Sequence, residues 1–260
     1  MQSLVVVHAH PDDETLWTGG LIATWAAQGW PVSVVTCTRG ERGEVLALPG
    51  TTSEGMAGLE GDGPALAAWR EGELAAALAA LGDGISHHFL DEGLPDRYED
   101  SGMVWVAPGL AGPDPAAPAG FAVAPLDDAA SRLAGLLREA AADIVVTYEA
   151  DGGYGHPDHV RAHAVTARAV QMMGDDAPAC WEVLSDQDAP GDITIDVASV
   201  LDQVTAAMTA HATQIQGVRR ADDADRHCGI LGYYALSNNV LSPIRATETY
   251  RTARTTANIA

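Results

Sequence analysis

Short runs of β-branched residues alternate along the chain with longer stretches rich in Ala and Leu. Ser3–His8, Pro31–Thr38, Ile85–Leu90 and Asp143–Tyr148 are short apolar runs, the pattern of strands buried on both faces. Between them, helical spacing of apolar residues covers Thr15–Gln28, closed by Gly29, and Pro64–Leu81, with Pro in its first turn and Gly82 behind it. It returns over Leu126–Ala141 and Val160–Met172. Weaker strands are expected at Cys180–Leu184 and Asp192–Ile195, a helix at Val197–Ala212, and a last strand near Tyr233–Leu236. Strands alternating with helices predict βαβ units and an α/β fold, a mostly parallel sheet covered by helices on both faces. We expect a single unit over 1–260: a core in 1–173, with 174–260 shaping the rim of a binding site.

Two stretches break the alternation. Residues 39–63 are Gly-rich without a clear period, and 91–124 are rich in Pro and Gly. Loops this long are uncommon unless functional or disordered. Both follow strand C-termini, the end where open parallel sheets bind ligands.

Composition narrows the classes. Apolar residues make up 47% of the chain, yet no apolar run approaches the roughly 20 residues that span a bilayer, so no membrane partner is expected. The N-terminus runs directly into a strand pattern without a basic signal region. Three widely spaced cysteines, Cys37, Cys180 and Cys228, form no CxxC pair, which fits a reducing compartment and a cytoplasmic location. The net charge of −22 argues against nucleic acid as a partner, because phosphate binding needs basic patches.

The chemistry is concentrated at two strand tips. The first strand ends in His8-Ala9-His10-Pro11-Asp12-Asp13-Glu14, and the Asp143–Tyr148 strand leads through a Gly-rich turn to Tyr154-Gly155-His156-Pro157-Asp158-His159. His10 and Asp13, like His156 and His159, are three residues apart, a spacing that can aim two side chains at one point. If the two strands are neighbours, these loops meet over the sheet edge. Two histidines and one carboxylate make a three-ligand Zn²⁺ site with a position left open for water, the catalytic kind. Asp12 and Asp13 cannot both reach one ion from a tight turn, so one serves as ligand and the other as base. Simpler roles compete: Asp13 as helix N-cap, His8 and His163 as structural residues, and Cys37 as a small core residue. There is no G-x-G-x-x-G after the first strand, which argues against a dinucleotide-binding module.

The AHPDDE and HPDH motifs together resemble the PIG-L/LmbE family of zinc-dependent de-N-acetylases. VVTCTRGERGEV, WREGELAAALAALG, EDSGM, VVTYEADGGYGHPDH, AHATQI and YYALSNNVLSPI are similar to its mycothiol-biosynthesis branch, which deacetylates N-acetylglucosaminyl-inositol. The resemblance implies a Rossmann-like sheet and a small N-acetylated amino-sugar substrate. It implies His10, Asp13 and His159 as ligands to Zn²⁺, a set that also accepts Fe²⁺, Co²⁺ or Mn²⁺. It implies Asp12 as general base, His156 as general acid or stabiliser of the tetrahedral intermediate, Asp158 as orienting that histidine, and Tyr154 as polarising the amide carbonyl. Glu44, Arg70 and Asp100 are implied to hold sugar and inositol hydroxyls. The chain departs from the pattern at Arg42, where an acidic residue is expected, and it is shorter over 174–200. The rival readings are an amidase for mycothiol S-conjugates, a deacetylase for a natural-product glycoside, and, in another class, a non-catalytic sugar-binding module.

Overall fold

A computed structural model describes residues 1–107, 110–115 and 120–253. The four apolar runs become β1 (Leu4–His8), β2 (Val32–Thr36), β3 (Ile85–Phe89) and, after an excursion, β6 (Ile144–Tyr148). They pair in parallel in the order β3-β2-β1-β6, followed by β7 (Ala179–Val183). Every residue of β1 and β6 is buried, because helices cover both faces. Leu4 and Val6 point into a core with α1 (Asp13–Ala27), α2 (Gly63–Leu81) and α5 (Leu201–Ala210). Val5 and Val7 point into a second core with α3 (Leu126–Glu139) and α4 (Pro157–Met173). Strict alternation along one strand therefore feeds two apolar layers.

The chain winds outward from β1 to β3, then crosses to the other side of β1 at β6. The turn leaving β1 and the turn leaving β6 thus face each other across the point where strand order reverses, the ligand crevice of open α/β sheets. The expected adjacency of these two strands is observed, with Leu4 opposite Ile144 and Val6 opposite Val146.

The two long loops fare differently. Residues 39–63 hold only a short 3₁₀ turn at Met56–Leu59. Residues 91–124 contain a hairpin of β4 (Met103–Ala107) and β5 (Leu110–Pro113) instead of a featureless loop. The C-terminal part holds more strand than its sequence pattern showed. Beyond β8 (Ile193–Asp196), β9 (Gln216–Arg220), β10 (Ile230–Ala235) and β11 (Leu241–Arg245) form an antiparallel sheet with the short helix α6 (Asp223–His227). β12 (Thr247–Thr252) then returns to the main sheet, antiparallel between β7 and β8. Among the described residues no helix is long and apolar enough to cross a membrane.

β12 also repairs α1. That helix is broken at Thr18 (φ −136°, ψ 16°), so the turn after it needs acceptors for its free N–H groups. Glu248 on β12 supplies them, taking Gly20 N at 2.6 Å and Leu21 N at 2.9 Å while also accepting from the Tyr250 hydroxyl. Glu248→Ala strands these buried donors, and we expect a loss of about 1–3 kcal/mol, read as a lower midpoint in chemical denaturation with an unchanged slope.

Candidate active site

The turn after β1 is tight and strained. Asp12 stands at the N-cap position of α1 with φ 121°, ψ −32°, a conformation costing a non-glycine residue about 1–3 kcal/mol. Its side chain makes no capping hydrogen bond and lies 3.4 Å from Arg70 Nη2. Asp13, the simpler N-cap candidate, does not cap either. Its Oδ2 turns back to accept the His10 N–H at 2.9 Å. Arg70 reaches up from α2 to the Pro11 carbonyl and, at 2.8 Å, to the Gly40 carbonyl. Gly40 has φ +66°, and a Cβ there would strike the Arg70 guanidinium, so a side chain at 40 would displace the arginine.

Across the crevice, α4 begins at Pro157 with His156 as its N-cap: Nδ1 accepts the Asp158 N–H at 3.1 Å. His159 and Asp158 are fully buried. The Asp158 carboxylate accepts from Ser101 N (2.9 Å), from the Ser101 hydroxyl (2.5 Å) and from His10 Nε2 (3.2 Å). It therefore meets His10, whereas His156 receives only its backbone N–H. Asp100 lies 3.8 Å from His10 Nε2. Arg42, the unexpected basic residue, donates its Nε to the Asp100 carbonyl at 2.9 Å and its N–H to the Asp100 carboxylate at 3.3 Å.

The proton inventory of the two imidazoles shows what this arrangement accepts. His159 Nδ1 donates to the Gly152 carbonyl at 3.2 Å, so neutral His159 carries a lone pair on Nε2. That atom is buried without a hydrogen-bond partner and lies 3.3 Å from Asp13 Oδ2. His10 Nε2 faces the Asp158 and Asp100 carboxylates, which leaves Nδ1 3.2 Å from the same Asp13 oxygen. Burial would lower His10, but the Asp100, Asp13 and Asp158 carboxylates hold it well above its ordinary pKa, so without an ion Nδ1 donates to Asp13. A divalent ion would take the place of that proton, because a ligating imidazole must be neutral. Donors bound tetrahedrally at zinc's usual 2.0–2.2 Å lie about 3.3 Å apart. The two separations from Asp13 Oδ2 match that spacing, so Asp13 can share an ion with either imidazole. Among the described residues, the groups whose ligand atoms all lie within 4.8 Å of one another are His10, His156 and His159, and His10, Asp100 and Asp158.

Burial and charge set the protonation of the remaining groups. Burial, with help from neighbouring Asp13, pushes the Asp12 carboxyl up to about 7 against the pull of Arg70. Burial would raise Asp13 as well, but His159 and His10 hold it well below the usual carboxylate range. Burial pushes His156 down to about 2, aided by His10 and His159, so it is neutral with its proton on Nε2. Burial among carboxylates keeps the Tyr154 phenol protonated, and the ring centroid of Tyr154 is 5.1 Å from that of His159.

These groups open onto a cavity of about 940 Å³ whose wall includes Met103 and Trp105 of the hairpin and Tyr234, Asn238 and Arg245 of the C-terminal sheet. Asp100 and Arg70 line it, both nearly buried, and Arg70 is already committed to backbone carbonyls and Asp12. Glu44 is exposed and lies between this cavity and a second one of about 700 Å³ beside the 39–63 loop. The hairpin is tied to the active-site turn by Ala111 N donating to the Tyr154 carbonyl at 2.7 Å.

Some residues belong to simpler roles. His8 donates Nε2–H to Thr18 Oγ1 at 2.8 Å, and burial pushes its pKa down to about 4, so it is a core histidine. His163 bonds the Tyr148 carbonyl at 2.9 Å. Others were not read from the sequence. Tyr148 stacks on His159 (4.1 Å between centroids, 12° between planes) while its hydroxyl accepts Ala9 N at 2.9 Å. Its only signal was an aromatic at the end of the strand that feeds the second motif. Glu14 and His211 form a fully buried pair at 2.7 Å, and His211 was visible only as part of AHATQI.

Known proteins resemble both the sequence and the fold. The sequence profile of the GlcNAc-PI de-N-acetylase family, PIG-L, matches residues 5–170. A relative from Saccharopolyspora erythraea, 1D-myo-inositol 2-acetamido-2-deoxy-alpha-D-glucopyranoside deacetylase 1, is 40% identical over 95% of this chain and 88% of its own. The fold is shared with N,N'-diacetylchitobiose deacetylase from Pyrococcus horikoshii (TM-score 0.58, 16% identity, 97% of this chain and 84% of that one). It is shared equally with a 4-carboxy-2-hydroxymuconate hydratase from Pseudomonas putida (TM-score 0.58, 22% identity, both chains covered in full), so fold alone does not choose the reaction. With a profile match spanning both strand-tip motifs and a relative aligned over nearly the whole length, the chain belongs to the PIG-L family of de-N-acetylases.

Proposed function

We propose that the protein hydrolyses the acetamide of N-acetylglucosaminyl-inositol, releasing acetate and the free amine. The observation that carries this reading is the placement of Asp13 Oδ2 3.2 Å from His10 Nδ1 and 3.3 Å from His159 Nε2, with Asp12 alongside. The relative's name supports the substrate.

His10, Asp13 and His159 would hold a divalent ion, which we take to be Zn²⁺ although Fe²⁺, Co²⁺ and Mn²⁺ suit the same donors; when bound it would supply Lewis acidity to the acetyl carbonyl and to water. Asp12, kept basic by burial and aimed by Arg70, takes the proton of the attacking water. Tyr154 donates its phenol hydrogen bond to the carbonyl oxygen as negative charge develops there. His156 holds Nε2–H towards the same developing charge. Its depressed basicity favours this stabilising role over that of general acid, and the proton gathered by Asp12 is the one available to the departing amine. Asp158 fixes the ring of His10. Asp100 and Glu44 offer acceptors for sugar and inositol hydroxyls, and Arg70 shapes the wall between them. We place the protein in the cytoplasm, in keeping with its three free cysteines.

Acetate release from N-acetylglucosaminyl-inositol, measured beside cleavage of a mycothiol S-conjugate, tests the reading. We expect deacetylation that a chelator abolishes and added Zn²⁺ restores. Cleavage of the conjugate alone would overturn the substrate, and indifference to chelator would overturn the metal. Tyr154→Phe is expected to lower kcat by about 10²-fold, the usual effect of one oxyanion donor, with little change in KM. Unchanged steady-state kinetics would remove the phenol from the mechanism.

A further inference from the structure

Asp12 sits on a backbone that does not hold its shape by itself (φ 121°), and the contacts that hold it lead away from the cavity. The Asp12 N–H donates to Glu14 Oε2 at 2.9 Å. The other oxygen of Glu14 accepts the Thr15 hydroxyl at 2.6 Å and faces His211 Nε2 at 2.7 Å. Both side chains are fully buried, and neither residue lines the cavity. They are therefore screened from substrate.

His211 is itself anchored. It follows α5, and its carbonyl accepts Gln214 N (2.9 Å) and Ile215 N (2.8 Å). The turn it opens is fastened to α2, where Glu73 accepts Thr213 N at 2.9 Å and the Thr213 hydroxyl at 2.6 Å. It is also fastened to the 39–63 loop through Leu46 N on the Thr213 carbonyl (2.8 Å) and the Ser53 hydroxyl on the Ala212 carbonyl (3.1 Å). α2 in turn carries Arg70, which grips the Pro11 carbonyl and the Asp12 carboxylate. A Glu side chain two residues from its own backbone partner has several rotamers to choose from. The histidine contact from 197 positions away selects the one that reaches Asp12.

We infer that Glu14 and His211 are positioning residues for the reaction: the buried pair fixes the Asp12 N–H, and with it the direction of the Asp12 carboxylate, so the segment after α5 sets turnover without touching substrate. This rests on Asp12 acting as the base. The pair is predicted to govern kcat, leaving KM and metal content alone.

Glu14→Gln keeps size and an acceptor for His211 but turns an amide NH₂ towards the Asp12 N–H. His211→Leu keeps bulk and removes the donor, whereas His211→Gln retains one. For Glu14→Gln and His211→Leu we expect kcat to fall about 10–100-fold, the usual penalty for losing a supporting partner, with KM within about twofold and one metal per chain. His211→Gln should recover most of the rate. Each variant is also combined with Asp12→Asn, in which the pair has no base left to aim, so neither should lower the residual rate further. Wild-type kcat in both Glu14→Gln and His211→Leu, with Asp12→Asn inactive, overturns the inference. So does a loss that multiplies fully onto that of Asp12→Asn, or a loss of metal. If His211→Leu fails to fold by circular dichroism, Glu14→Gln decides. Full activity in Asp12→Asn instead brings down the base assignment itself, and this inference with it.

Discussion

Asp12→Asn is expected to retain one metal per chain while kcat falls about 10²–10⁴-fold, the range of a lost general base. Asparagine is the right replacement because residue 12 has φ 121°. Asn and Asp are the non-glycine residues that best tolerate positive φ, whereas alanine would add backbone strain to the lost carboxylate. The amide keeps an oxygen for Arg70, 3.4 Å away, so the wall of the cavity should stand. The amide nitrogen cannot take a proton from water. KM should change little, because the carboxylate acts on the water and not on the sugar. Metal analysis and steady-state kinetics on the same preparation check this, and a rate near wild type would take the base role away from Asp12.

The sequence carried the part of this site that is local. Val/Ile runs marked β1, β2 and β6, and the two motifs stand at the strand tips where their spacing put them. Topology did the rest: β1 pairs with β6, so two loops nearly 150 residues apart share one crevice. What the sequence did not show is decided at a distance. Glu14 appears locally as one more acid in PDDE and His211 as one more polar residue after a helix. Only folding makes them a buried pair. Arg70 has the look of a surface charge on an Ala-rich helix, yet it ends beneath the catalytic turn, 3% exposed. β12 reads TETYRT, a polar stretch whose strand character comes from the two neighbours it slots between. The β4–β5 hairpin was hidden because its residues Val104, Trp105, Val106 and Leu110 stay exposed, which erases the alternation that marks a half-buried strand.

Asp13→Ala is expected to fail at the step before chemistry. Asp13 Oδ2 is the shared corner of the site, 3.2 Å from His10 Nδ1, 3.3 Å from His159 Nε2 and 2.9 Å from the His10 backbone N–H. Without it, two imidazole lone pairs remain, and the only anion among the three donors is lost. A supporting partner of a metal ligand is worth about 10–100-fold in affinity, so loss of the ligand itself should exceed that range. Purified Asp13→Ala should carry little metal after dialysis and should need excess Zn²⁺ for residual turnover, in contrast to Asp12→Asn. The two neighbours thus separate by readout: loss of turnover with metal retained at position 12, loss of metal at position 13. If Asp13→Ala held its ion as tightly as the unaltered protein, the ligand set would have to move to His10, His156 and His159, the alternative cluster in the same crevice, and His156 would then be a ligand and no longer the hydrogen-bond donor proposed here.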